Sequence, residues 1–197
     1  QSWRGRLTRA LRGWAMSDWQ TLTLADVCTV ITDGAHQSPK TVAQGKPMAS
    51  VKDLTRFGVD LTSARHIAVE DFDTLVRQGC KPQVGDVLIA KDGNSALDTV
   101  CTVDQPLDAV MLSSVAILRP NAAVLTSEFL KFYLSSPNVV EYLKSNFISG
   151  AAIPRVVLRD FKKAEIRLPP LSVQKGIGQT LQAIDNKIAI NRRINQS

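Results

Sequence analysis

A thiol nucleophile with an imidazole base could be assembled from Cys28 and His36, or from Cys101 and His66, but no third residue is placed to orient either base. The cysteines Cys28, Cys80 and Cys101 are odd in number, widely spaced and never arranged as CxxC. With only two histidines beside them they do not make a zinc site. They read as reduced, buried thiols of a cytoplasmic protein. A metal-dependent nuclease built on Asp86 and Lys91 lacks the neighbouring acid that the metal requires, and Asp71 and Asp73 read as a solvated turn. GIGQTL (176–181) superficially resembles a dinucleotide fingerprint, yet it follows Pro169 and Pro170 rather than a strand and lacks the third glycine. There is no phosphate-binding GxxxxGK[ST], no HExxH and no GxSxG. These residues argue against an enzyme acting alone; the catalytic alternative that remains is a nuclease or methyltransferase fragment.

The elements that would position any site read as α+β: a single globular domain of short strands and a few helices, followed by a long C-terminal coiled-coil-type helix. From Trp19 to about Arg119 the texture is one of short strands and loops, punctuated by glycine and proline. DVLIA (86–90) and VMLSSVAILRP (110–120) are β-branched or apolar runs bounded by turn residues. SEFLKFYLSS predicts a helix capped by Ser127, and SPNVVEYLKSNF a second, with Ser136 as cap and Pro137 at its first position. AEIRLPP (164–170) reads as a last strand. The predicted boundaries are a basic extension over 1–15, a globular domain over 16–168 and a helix over 169–197. Met16 looks like a natural start. The extension before it reads either as non-native or as a short amphipathic helix bearing Trp3, Leu7, Leu11 and Trp14.

After the Pro-Pro break, Ile177, Leu181, Ile184 and Ile188 recur at alternating spacings of four and three, and Asn191 and Asn195 continue the stripe as polar positions. Such a helix is expected to find nothing in its own domain to bury against, and to need a partner. The formal charge of +6 is carried by the ends: +4 from Arg4, Arg6, Arg9 and Arg12, and +3 from residues 169–197. The stretch between is left at −1, so any DNA-binding surface there must cluster its cations or borrow them from a partner. No run of about 18 apolar residues occurs, so no membrane span is expected.

In order and spacing, the chain resembles the specificity (S) subunit of Type I restriction–modification systems, in a half-length form with one target recognition domain and one conserved helix. The resemblance runs from about Trp19 to Asn195. It rests on the opening W-x-x-x-x-L-x-D, on DGAHQSP (33–39), on GDVLIAKDGN (85–94), on SEFLKFYLSS, and above all on SGAAIPRVVLRDFKKAEIRLPPL (149–171) with the glutamine and D-x-K-I helix that follow. Val173 departs from the glutamate usual there; with Gly176 and Gly178 it predicts a locally weak first helical turn.

The resemblance implies a non-catalytic DNA-reading module that directs methyltransferase (M) and nuclease (R) subunits to a bipartite target in double-stranded DNA. No cofactor is expected on this chain; S-adenosylmethionine, ATP and Mg belong to the partner subunits. It also implies a homodimer through the helix, with Ile177, Leu181, Ile184, Ile188, Asn191 and Asn195 as the dimer or M-subunit surface. A fragment of a longer subunit, or a regulatory decoy that occupies M subunits without directing modification, are the alternatives. For base and phosphate contacts the candidates are His36, Gln37, Ser38 and Lys40 in one loop and Lys91, Asn94 and Ser95 in another. Lys52, Arg56 and Arg155 complete the set. Lys91 is expected to take a phosphate, His36 to brace its turn through Asp33, and Asp92 to orient a cation rather than meet DNA.

Overall fold

A computed structural model describes residues 19–150 and 153–196. The N-terminal extension and its suggested amphipathic helix lie outside the described residues. The centre is a four-stranded antiparallel sheet in the order β2 (Cys28–Asp33), β10 (Val115–Pro120), β7 (Val87–Ala90), β8 (Val100–Thr102). All four residues of β7 are buried because both faces of the sheet are covered. Val87 and Ile89 point into one core and Leu88 and Ala90 into another, the period-2 alternation of a strand read from both sides.

Helices cover the first face: α1 (Leu24–Val27), α3 (Ser127–Leu134), α4 (Pro137–Phe147) and α5 (Leu158–Phe161), together with the β1 (Gln20–Thr23)–β13 (Glu165–Leu168) pair. The second face is covered by a three-stranded sheet, β6 (Arg65–Ile67)–β3 (Lys46–Ala49)–β9 (Val110–Met111), and by the hairpin β4 (Leu54–Thr55)–β5 (Gly58–Val59). A further small core lies under α2 (Val69–Arg77), where Phe72 and Leu75 are buried three residues apart.

Several sequence expectations need correction. The run over 110–120 is not one strand: Leu112 and Ser113 donate backbone bonds to Ala49 and Ala35, breaking it into β9, parallel to β3, and β10 in the central sheet. Asp71 and Asp73 are not in a turn but on the solvent side of α2. The cap of α3 is Thr126, whose hydroxyl accepts from Phe129 N; Ser127 instead donates to the Gly85 carbonyl. Ser136 and Pro137 open α4 as expected.

The C-terminal helix α6 runs unbroken over Leu171–Gln196. The expectation that it finds nothing in its own domain is overturned, because its first half seats on α3. Buried Gln174 holds the junction: its Oε1 accepts from Thr126 N at 3.0 Å, and its Nε2 donates to the carbonyls of Val124 (2.9 Å) and Pro169 (2.8 Å). Both donors of the amide nitrogen and the amide oxygen are engaged, which removes the penalty of burying them. Gly178 faces α3 so closely that a Cβ there would lie 2.8 Å from Glu128 Cβ, whereas Gly176 faces open space. Gly176→Ala should therefore raise stability by about 0.5–1 kcal/mol through helix propensity alone, read from the urea midpoint. No helix of the described residues is long and apolar enough to cross a membrane.

Candidate nucleic-acid interface

Strands β2 and β7 both finish at the end of the sheet where β10 begins, so the loops that follow them meet there. The backbone fastens them together. Ala35 N donates to the Met111 carbonyl at 2.8 Å, Lys91 N to that of Ser114 at 2.8 Å, and Val51 N to the Ser114 hydroxyl at 3.3 Å. Gly93 N donates to the Pro154 carbonyl at 2.9 Å and Val156 N to that of Lys91 at 3.0 Å, so β12 (Arg155–Val156), paired with β11 (Ile148–Ser149), joins the same end.

The side chains then form an alternating row of charge. His36 Nε2 lies 3.1 Å from Asp33 Oδ1, and Asp33 Oδ2 lies 3.1 Å from Lys91 Nζ. Lys91 Nζ is 3.5 Å from Asp92 Oδ1, which accepts from Arg155 Nε at 3.2 Å. Each carboxylate is thus held between two cationic or cation-capable groups, so the row adds no uncompensated negative field. Asp33 and Asp92 both serve as braces, as expected for His36 and Asp92 from the sequence.

Lys91 is corrected: its side chain is only 6% exposed, and its ammonium is committed to two carboxylates, which leaves it unable to reach a phosphate. The reason is its place one residue past the buried Ala90, where Asp33 and Asp92 close over its ammonium. Arg56 is also corrected. It sits at the β4–β5 turn, paired with Asp185 of α6 and stacked 5.5 Å from the Phe57 ring, so its guanidinium is engaged within the domain. Gln37, Lys40, Lys52, Asn94 and Arg155 are exposed, and Ser95 is half-buried, on segments whose backbones are fastened at the common end. Among the described residues Lys40 and Lys52 have no acid partner, so they give this end a positive excess. Ser38 is exposed but engaged, accepting from Arg65 Nη2 at 2.8 Å. Neither Arg65 nor the bridging role of Asp33 was read from the sequence; the contacts span 27 residues in one case and join separate loops in the other.

On α6 the structure separates two adjacent stripes. Gln174, Gly178 and Asp185 face the domain. Ile177 packs on the domain's own core, so it is withdrawn from the partner surface, and Leu181 and Ile188 are half-buried beside it. Ile184 is 50% exposed, and Asn191 and Asn195 are exposed. Asp185 itself is buried: it accepts from Lys131 Nζ at 2.9 Å and pairs with Arg56, tying α6, α3 and the β4–β5 hairpin together.

The three thiols and the Asp86 carboxylate are each held within the domain. Burial pushes the Cys28 and Cys101 thiols up to about 12, and the Cys80 thiol upward as well, which holds all three protonated at neutral pH. Asp86 is fully buried in a two-pronged pair with Arg119, Nε to Oδ1 and Nη2 to Oδ2 both at 2.8 Å; the bond raises the Arg119 pKa. It stands at the opposite end of β7 from Lys91, so the two cannot form one site. No group of three or more His, Cys, Asp or Glu that could hold a metal occurs among the described residues.

The fold is that of solved specificity subunits. It aligns with the HsdS subunit from Thermoanaerobacter tengcongensis at a TM-score of 0.57 and 22% identity, over 97% of this chain and 49% of that one. It aligns with the Type-I restriction-modification S subunit from M. genitalium at 0.61 and 18%, over 89% and 43%. In sequence, residues 16–197 match the Type I restriction modification DNA specificity domain, and the chain belongs to that family. It is 25% identical over 183 residues to the putative type I restriction enzyme MjaX specificity subunit of Methanocaldococcus jannaschii, covering 90% of this chain and 42% of that protein. The chain thus spans less than half the length of that relative.

Proposed function

We propose that this chain is the DNA-reading half of a Type I specificity subunit, and that it reads duplex DNA with the end of the sheet where the 33–40 and 91–95 loops meet. One observation carries the reading: a largely buried Asp33–Lys91 bridge joins the bases of the two loops, while Gln37, Asn94, Lys40 and Lys52 stand exposed. Gln37 and Asn94 can each offer a paired donor and acceptor to an adenine edge in the major groove, and the lysines can take phosphates. Methyl transfer and cleavage fall to M and R partner subunits, which would hold S-adenosylmethionine, ATP and Mg. Because the stretch between the basic ends carries a net −1, affinity alone should be modest and rise when M subunits add their own contacts.

The test is the salt dependence of binding to double-stranded DNA. Replacing Lys40 or Lys52 by alanine should weaken binding to all sequences and reduce the slope of log K against log salt by about 1 for each phosphate no longer gripped. Asn94→Ala should instead relax one position at a cost of about 1–3 kcal/mol. An unchanged slope in both lysine variants removes this end of the sheet as the DNA surface.

The exposed stripe on α6 supports a second element of the proposal, a twofold dimer that restores a two-domain arrangement and reads a palindromic split site. Light scattering over a range of concentrations should give a dimer mass for the parent chain and a monomer for Ile184→Asp. A monomer for both would leave the stripe to M subunits or to a second domain.

A further inference from the structure

The segment carrying Gln37 and Lys40 is almost unsupported by its own backbone. It leaves the framework at Ala35, which donates to Met111, and rejoins it at Val42, whose N–H donates to the His66 carbonyl at 3.0 Å. Between those points residues 36–41 make no backbone–backbone hydrogen bond among the described residues. At its start the segment is braced by the His36–Asp33 contact. Its middle is held by a single side chain from another strand. Arg65, on β6, donates through Nη1 to the Pro39 carbonyl and through Nη2 to the Ser38 hydroxyl, both at 2.8 Å, while Nη2 also lies against the Met48 sulfur. Arg65 is itself placed by the β3–β6 ladder, where it pairs with Met48 across the strands.

We infer that Arg65 is the positioning residue of the recognition loop: it touches no DNA, and it sets sequence selectivity by fixing the conformation in which Gln37 and Lys40 are presented. This deepens the proposed function and rests on it for its consequence, although the positioning role can be tested without DNA. A planar guanidinium suits the task because its N–H groups are fixed relative to one another. Two bonds to adjacent residues therefore define both the position and the twist of the loop, which an ammonium on a flexible stem does not do. A loop that samples many conformations meets DNA in some that lack the Gln37 contact, so the discrimination which that contact supplies is lost, and apparent affinity falls with the competent fraction.

Two measurements on the full chain test this, using Arg65→Gln and Arg65→Lys. In the first, trypsin cleavage after Lys40 is timed under native conditions. Both variants should be cut there on the order of tenfold faster than the parent, with little change in the urea midpoint, because the loop opens locally without the domain unfolding. In the second, a random pool of double-stranded oligonucleotides is selected by each protein. Arg65→Gln should lose selectivity at the positions that Gln37→Ala also relaxes and keep it elsewhere, with the salt slope reduced by no more than Lys40→Ala reduces it. Parent-like cleavage at Lys40 overturns the positioning role, and faster cleavage with an unaltered consensus overturns its consequence for selectivity. Faster cleavage in a system where the parent selects no sequence leaves Arg65 as the loop's anchor and overturns the DNA reading instead.

Discussion

Asp185→Ala should destabilise this protein by about 3–5 kcal/mol, because it strands the Lys131 ammonium in a site where that side chain is only 3% exposed. For a chain of this size the midpoint of thermal unfolding should fall on the order of 10 °C. Removing one member of a buried pair leaves the other desolvated and uncompensated, which costs far more than the pair contributes over an apolar replacement. The double change Lys131→Met with Asp185→Leu should therefore recover most of the loss, and that recovery is what separates burial of a lone charge from simple loss of packing. The other partner, Arg56, is half exposed, and water screens its share; Arg56→Ala should cost no more than about 1 kcal/mol. Calorimetry on the four proteins checks the order. A loss under about 1 kcal/mol for Asp185→Ala would mean that the Lys131 site is open to water.

The second large effect lies beside the end of the sheet proposed to read DNA. Gly34→Ala should cost about 3 kcal/mol or more and abolish DNA binding in whatever fraction folds. The demand for glycine here is one of distance: Gly34 is not among the glycines at positive φ. An added Cβ would lie 2.1 Å from the Met111 carbonyl oxygen, 2.3 Å from its carbon and 2.6 Å from the Leu112 oxygen. All three are backbone atoms, so no side-chain rotation relieves the clash. The chain could yield only by breaking the Ala35–Met111 bond and the Ala35–Leu112 bridge that deliver the 36–41 loop. Urea unfolding gives the stability loss, and the DNA-binding assay on the folded fraction gives the functional one. An unchanged midpoint would contradict the close approach.

What the sequence made legible follows from period and punctuation. The apolar run DVLIA became β7, Ser136 and Pro137 opened a helix, and the Pro-Pro break marked the start of α6. The two loops proposed to read DNA were also legible, as polar turns after strands. What stayed hidden depends on pairs far apart in the chain. Lys91 looks free until Asp33, at the end of β2, is brought beside it. Arg56 looks like a DNA ligand until Asp185, 129 residues later, claims it. The second stripe of α6 was obscured because Ile177 and Leu181 fit a partner seam and an intramolecular seat equally well by spacing, while Gln174, Gly178 and Asp185, which mark the side that faces α3, carry no apolar signal. The helix α2 was missed because it buries just Phe72 and Leu75 beneath an otherwise acidic and polar surface.

The β4–β5 hairpin touches α6 at two places: Arg56 meets Asp185, and Arg192 lies 5.4 Å from the Phe57 ring. Those points are about two helical turns apart, a span of about 10 Å. A rod gripped at two points cannot pivot about either one, and a rod gripped on one side cannot roll without dragging its bracket. The distal turns of α6 are therefore a strut, aimed by the same body that carries the loops proposed to read DNA. Whatever fastens to that strut inherits the domain's orientation, so the angle between two such bodies is set where the hairpin grips the helix as much as where the helices meet.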